Sequence, residues 1–80
     1  MTVTILFLGP LRDLQGAEAI EVSAPLDWPV LLGTVSDGVA EQLVGGRVNV
    51  ACGGRVLADR TALRAQDGDE VALLPPVSGG

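Results

Sequence analysis

Alternating apolar and polar residues divide the chain into short strands and helical stretches. Thr2-Val3-Thr4-Ile5-Leu6-Phe7-Leu8 is rich in β-branched and aromatic residues and ends at Gly9-Pro10, which predicts a centrally placed strand closed by a loop. Arg12 to Gly16 reads as a polar turn. Glu18-Ala19-Ile20-Glu21-Val22 alternates as a half-buried antiparallel strand does, so the first two strands form a hairpin with a long loop. Asp27 is placed to cap a helix that starts near Trp28, with Pro29 in the first turn, where a missing N–H is harmless. Val30, Leu31 and Val35 supply a helical stripe that Gly33 weakens, and Asp37 offers a second cap ahead of Val39, Ala40, Leu43 and Val44. The pattern predicts two short helices, or one broken near Ser36 to Gly38, ending at Gly45-Gly46.

Val48, Val50 and Cys52 share one face of a third strand and Asn49 and Ala51 the other, with Gly53-Gly54 as the following turn. Val56-Leu57 predicts a short strand, Thr61 to Ala65 a single turn, and Asp67-Gly68-Asp69 a tight turn into the strand Glu70-Val71-Ala72-Leu73-Leu74. Two strands, a helical section and two or three further strands make an α+β layout with the helices on one sheet face. That order fits a ubiquitin-like β-grasp: a mixed four- to five-stranded sheet with one or two short helices packed on one face. No internal repeat or linker interrupts it, so residues 1–74 read as one domain and residues 75–80 as an extended tail.

Composition narrows what such a domain can do. Eighty residues bury a modest core but cannot also enclose a large substrate cavity, which implies that function needs a partner. A formal charge of −5, with ten acids against five scattered arginines, argues against nucleic-acid binding and fits a basic protein partner. Lysine is absent, so the side chains offer no amine on which a carboxyl group could form an amide. One cysteine and no histidine exclude an internal disulfide, the usual zinc constellations and a four-thiolate cluster, and no metal ligand set is predicted. The chain shows no signal-peptide pattern and no apolar run of bilayer length, so the expected setting is reducing and cytoplasmic, with no membrane partner.

The side chains offer little chemistry. Cys52 alternates with Val48 and Val50, which places it inward as a small hydrophobe, and no histidine exists to activate it or a serine. Asp67, Asp69 and Glu70 lack the spacing of a calcium loop and read as turn residues. Gly53-Gly54-Arg55 opens no helix and reads as a hairpin turn. Phe7 and Trp28 are the two aromatics, of a kind that belongs more often to a core, with partial exposure expected for Trp28. What stands out is the ending, Pro75-Pro76-Val77-Ser78-Gly79-Gly80. Proline cannot donate to a ladder, so apolar residues continuing past the strand suggest a segment held for a partner groove. Two glycines make the narrowest peptide available, and six extended residues reach about 20 Å, enough to thread a carboxylate into another protein's site.

Taken together, Ile5-Leu6-Phe7-Leu8 followed by Leu11-Arg12-Asp13 and Gly16, Val48-Asn49-Val50-Ala51, Asp67-Gly68-Asp69-Glu70-Val71-Ala72 and the Pro75 to Gly80 ending resemble the small subunit of molybdopterin synthase, a β-grasp sulfur carrier related to ubiquitin. The resemblance covers nearly the whole chain; Gly53 departs from it, standing where the family usually has Asn. It implies that a ubiquitin-activating-like adenylyltransferase uses ATP to adenylate the Gly80 carboxylate and that a sulfur donor protein converts it to a thiocarboxylate. It further implies a large catalytic subunit as partner, typically in a heterotetramer, with Phe7, Pro75, Pro76, Val77, Ser78 and Gly79 as apolar and tail contacts. The carrier itself would bind no cofactor and perform no catalysis alone. A sulfur carrier for thiamine synthesis, a ubiquitin-like modifier conjugated through Gly80, and a β-grasp interaction module with an inert tail are the alternatives.

Overall fold

The computed structural model describes residues 1–75, and the tail from Pro76 onward lies outside the described residues. Strand β1 (Thr2–Phe7) leads into a short helix α1 (Pro10–Gln15), and β2 (Ala19–Ser23) returns antiparallel to β1 with Ile5 opposite Ile20. A two-residue strand β3 (Leu26–Asp27) precedes helices α2 (Trp28–Thr34) and α3 (Asp37–Val44). Strands β4 (Asn49–Cys52) and β5 (Arg55–Val56) form a hairpin, a 3₁₀ turn covers Arg60–Ala62, and β6 (Arg64–Ala65) and β7 (Glu70–Leu74) complete the described chain. The main sheet runs β2-β1-β7-β4-β5, and β3 pairs with β6 in a small second sheet. The central pair β1–β7 is parallel, with Thr4 opposite Glu70 and Phe7 opposite Leu73.

The helical section divides where the sequence places the break, and hydrogen bonds show how. Asp27 accepts a hydrogen bond from the Val30 N–H at 3.0 Å and caps α2. The second cap is Ser36 and not Asp37: its Oγ accepts from Val39 N–H at 3.3 Å and donates to the Leu14 carbonyl at 3.0 Å, while its own N–H donates to Gln15 Oε1 at 2.8 Å. One residue thus starts α3 and ties it to α1. Arg12 to Gly16, expected as a turn, is the body of α1. Pro10 at the helix start and Gly16 in the left-handed conformation (φ 81°) at its end are the two residues that make so short a helix possible.

Inward-facing residues of the strands meet one face of the helices. Val3, Ile5, Phe7, Val50, Val71 and Leu73 from the sheet pack with Leu11, Leu31, Val35, Val39 and Leu43 from the helices, and Leu26, Leu63 and Ala65 close one end through the small sheet. No polar or charged residue is buried among the described residues. Arg60 locks the helix ends to the following loop: its Nε donates to the Leu43 carbonyl at 3.0 Å, and its guanidinium lies 5.8 Å from the centre of the Trp28 ring, a cation–π contact.

Ser36→Ala removes a cap and the α1 tie together, and is expected to cost about 1–2 kcal/mol. Thermal unfolding should show a fall of roughly 4–8 °C for each kcal/mol in a domain this small, whereas Asp37→Asn should change stability by no more than about 0.5 kcal/mol. Equal Tm values for the two variants would refute the capping assignment.

Candidate functional site

With the helices covering one side of the sheet, the other side remains open, and the strand register arranges its side chains in rows. Ala19, Leu6, Ala72, Ala51 and Val56 stand opposite one another in that order across β2, β1, β7, β4 and β5. Leu74, opposite Asn49, belongs to the next row toward the end of β7, and Leu8, just past β1, is 41% exposed. Val56 is 58% exposed, and the row between it and Leu6 is floored by the small side chains Ala51 and Ala72. The rows toward the start of β1 are polar instead, carrying Thr4 with Glu21 and Glu70, and Thr2 with Ser23. The open face is therefore apolar only where β7 ends, beside the root of the tail.

That root is firmly placed. β7 is flanked on both sides, by β1 and β4, so the segment it delivers leaves from an internal strand. At the exit, Gly9 adopts φ 57°, and a Cβ built there would stand 3.3 Å from Pro75 Cγ. A glycine at this position serves two needs at once: a positive φ and close approach of the half-buried Pro75 ring. The sequence marked Gly9-Pro10 only as a loop; its partnership with Pro75 depends on the parallel register, which no local pattern reveals.

Phe7 requires a correction. Its side chain was expected among the partner contacts, but it faces inward opposite Leu73 and is 2% exposed, so it belongs to the core under α1 to α3. Alternation along β1 gives the reason, because Val3, Ile5 and Phe7 share one face and Leu6 the other. Leu6 faces the open side instead, with the exposed Leu8 just beyond it. Of the tail residues, Pro75 lies at the end of β7; Pro76, Val77, Ser78, Gly79 and Gly80 lie outside the described residues.

Cys52 lies on the inner face opposite Val71 and packs partly buried against the core. Burial, with the Asp69 carboxylate adding to it, pushes the thiol above its ordinary value. A neutral thiol is a poor nucleophile, so Cys52 is a packing residue. The acidic cluster is likewise structural: Asp67 Oδ1 accepts from Thr2 N–H at 3.0 Å and Asp69 Oδ2 accepts from Gln66 N–H at 2.7 Å. Trp28 is half-buried under Arg60. No helix among the described residues is long and apolar enough to cross a membrane.

Comparison with known proteins places this geometry. The profile of the family described as the ThiS family matches residues 5–80. The molybdopterin synthase sulfur carrier subunit of Escherichia coli (strain K12) is 34% identical over 84 residues, which cover 98% of this chain and 99% of that protein. Among solved structures, a chain in the complex of subunits 1 and 2 of the molybdopterin-converting factor from Helicobacter pylori 26695 superposes with a TM-score of 0.69 at 29% identity, covering 100% of both chains. The small archaeal modifier protein 1 of Methanosarcina acetivorans superposes at 0.72 with 21% identity, over 99% of this chain and 96% of that one. The last is a likeness of fold.

Gly9→Ala should destabilise by about 1–3 kcal/mol through its positive φ, and should shift the Leu74 amide resonance as the tail root is displaced. An unchanged Leu74 amide would mean that Gly9 does not hold the root. For Cys52, the folded chain favours the neutral thiol, so this contribution to stability is complete below the thiol's ordinary value of 9.0 and is lost as pH rises through the raised folded value. Alkylation by iodoacetamide near pH 8 should therefore be slower than for an unfolded peptide containing the same cysteine; equal rates would contradict the burial described.

Proposed function

This chain belongs to the ThiS family, and from that membership we propose that it is a sulfur carrier whose Gly80 carboxylate becomes a thiocarboxylate, serving as the small subunit of a molybdopterin synthase. The observation that carries this reading is similarity over nearly the full length, 34% identity across 98% of the chain, to the molybdopterin synthase sulfur carrier subunit of Escherichia coli. The fold supplies a physical account of how such a carrier works. Its own side chains hold no activated nucleophile, because the single thiol is kept neutral and no histidine is present. Chemistry is left to the terminal carboxylate, and the domain holds and presents it.

A carboxylate is a poor electrophile. An adenylyltransferase partner attacks the α-phosphorus of ATP with the Gly80 carboxylate, releasing pyrophosphate and leaving an acyl adenylate. The terminal sulfur of a persulfide on a donor protein then attacks the acyl carbon and displaces AMP, and a second thiol attacks the donor's sulfur, forming a disulfide with it and freeing the thiocarboxylate. The C–S bond breaks when the sulfur passes to the pterin precursor in the large subunit, and oxygen from water restores the carboxylate. In this reading the large subunit supplies the catalytic side chains and any bound cofactor, and the small subunit contributes the tethered sulfur. Tethering replaces free sulfide at low concentration with a nucleophile at high effective concentration in one place. The cytoplasm, where thiols stay reduced, is the compartment that suits it.

The apolar end of the open sheet face adjoins the tail root, so a partner that takes the tail also covers Leu6, Ala72, Val56 and Leu8. A few small side chains flanked by leucines give a surface that seats a complementary apolar patch, with acidic surroundings that meet a basic rim.

Deleting Gly80 should abolish thiocarboxylate formation while leaving Tm within about 1 °C of the intact chain, since a single terminal residue is expected to contribute little to folding stability. The decisive measurement is the intact mass after incubation with ATP, the activating enzyme and a sulfur donor. A gain of one sulfur for one oxygen mapped to Gly80 is expected; an amide-linked conjugate in its place would move the chain to the modifier class. Val56→Glu should weaken binding of the large subunit by about tenfold or more without unfolding the domain. Undiminished binding would remove the open sheet face from the interface.

A further inference from the structure

The helical side of the molecule carries a second surface that the tail chemistry leaves unused. A shallow groove of about 590 Å³ beside α2 and α3 is lined by Leu32, Asp37, Ala40, Glu41, Val44 and Gly45. Leu32 and Ala40 are half-buried and Val44 is 65% exposed. Ala40 and Val44 lie one helical turn apart, and so do Asp37 and Glu41, so an apolar stripe runs alongside an acidic one. Neither carboxylate has an ion-pair partner among the described residues. Asp37 gains from the helix start, but Glu41 sits mid-helix with a like charge one turn away, an arrangement that costs the helix unless a cation meets it.

We propose that this groove docks a cationic amphipathic segment of a second protein, with aliphatic side chains on Leu32, Ala40 and Val44 and arginine or lysine side chains on Asp37 and Glu41. Charge selects the occupant. An anionic lipid surface or a nucleic acid is repelled by the rim, and a second copy of this chain brings a net charge of −5 and no lysine. The floor is too shallow to retain a partner by burial alone, so the acidic stripe sets orientation and on-rate while the aliphatic contacts add dwell time. The groove lies on the helical layer, across the sheet from Leu6 and Val56, so occupancy there leaves the tail root and open sheet face free. A protein bound in the groove can therefore stay in place while Gly80 is engaged elsewhere, an arrangement that does not depend on which sulfur pathway the carrier serves.

The test titrates the full chain, ¹⁵N-labelled, with a helical probe peptide bearing leucines at every third or fourth position flanked by arginines, and with an isomer of identical composition whose leucines are scattered. Amide shifts are expected to concentrate at residues 32, 37, 40, 41, 44 and 45, with the isomer binding about tenfold more weakly. Asp37→Asn combined with Glu41→Gln should reduce probe affinity about tenfold, and added salt should do the same. As a variant independent of that loss, Glu41→Arg should gain affinity for a probe with glutamates in place of the arginines. Shifts centred on the open sheet face, equal binding of the two isomers, or indifference to both variants would each overturn the proposal.

Discussion

Everything in this fold depends on the parallel pairing of β1 with β7. Parallel neighbours cannot be joined by a tight turn, so the chain between them must cross over, and here that crossover contains every helix and remaining strand of the described residues. The pairing is clamped at its start: Gly68 N–H donates to the Thr2 carbonyl at 2.9 Å, Thr4 N–H to the Asp69 carbonyl at 3.1 Å, and Asp67 accepts from Thr2 N–H at 3.0 Å. With one end fixed, the other end of β7 has a defined direction. The segment that follows therefore leaves from the third strand of five, held by neighbours on both sides.

From that constraint follow two faces with different duties. The inner face is apolar where the helices cover it, and among the described residues it has no buried polar group whose titration or loss would loosen it. Such a core is chemically inert, and even Cys52 is neutral within it. The outer face is graded from polar at the clamped end to apolar at the exit, and the gradient arises from register alone: a shift of one residue in β1 would send Leu6 inward and Phe7 out. Register therefore fixes the core and the composition of the open face together.

Much of this was legible locally. β1, β2, β4 and β7 announce themselves by alternation or β-branched density, and Asp27 with Pro29 marks the start of α2. The misses share one cause, which is dependence on distant residues. β3 and β6 have two residues each, too few for any period, and exist because Leu26 and Ala65 meet across the core. α1 has six residues and a single buried side chain, Leu11, so its apolar signal is weak; Pro10 and Gly16 were the available clue. Ser36 prevailed over Asp37 as cap because it also bonds to α1, a contact from 22 residues away. Arg60 carries no local signal of its roles on Leu43 and Trp28. The diglycine end was the most visible feature of the sequence, while the surface beside it became visible only once strands were laid side by side.

The contiguity of tail and apolar patch also limits how the carrier can be used. Under the proposed function, a partner that takes the tail also meets the end of β7, where Leu6, Leu8, Ala72 and Val56 lie. In that reading, partners that each cover this patch hold it in turn, and one leaves it before the next can bind there. Exchange requires modest affinity, and the small alanine side chains that floor the row limit the apolar area any partner can bury there. Under the proposed function the patch suits repeated release, whereas a row of leucines in place of Ala51 and Ala72 would slow the cycle by lengthening residence on each partner.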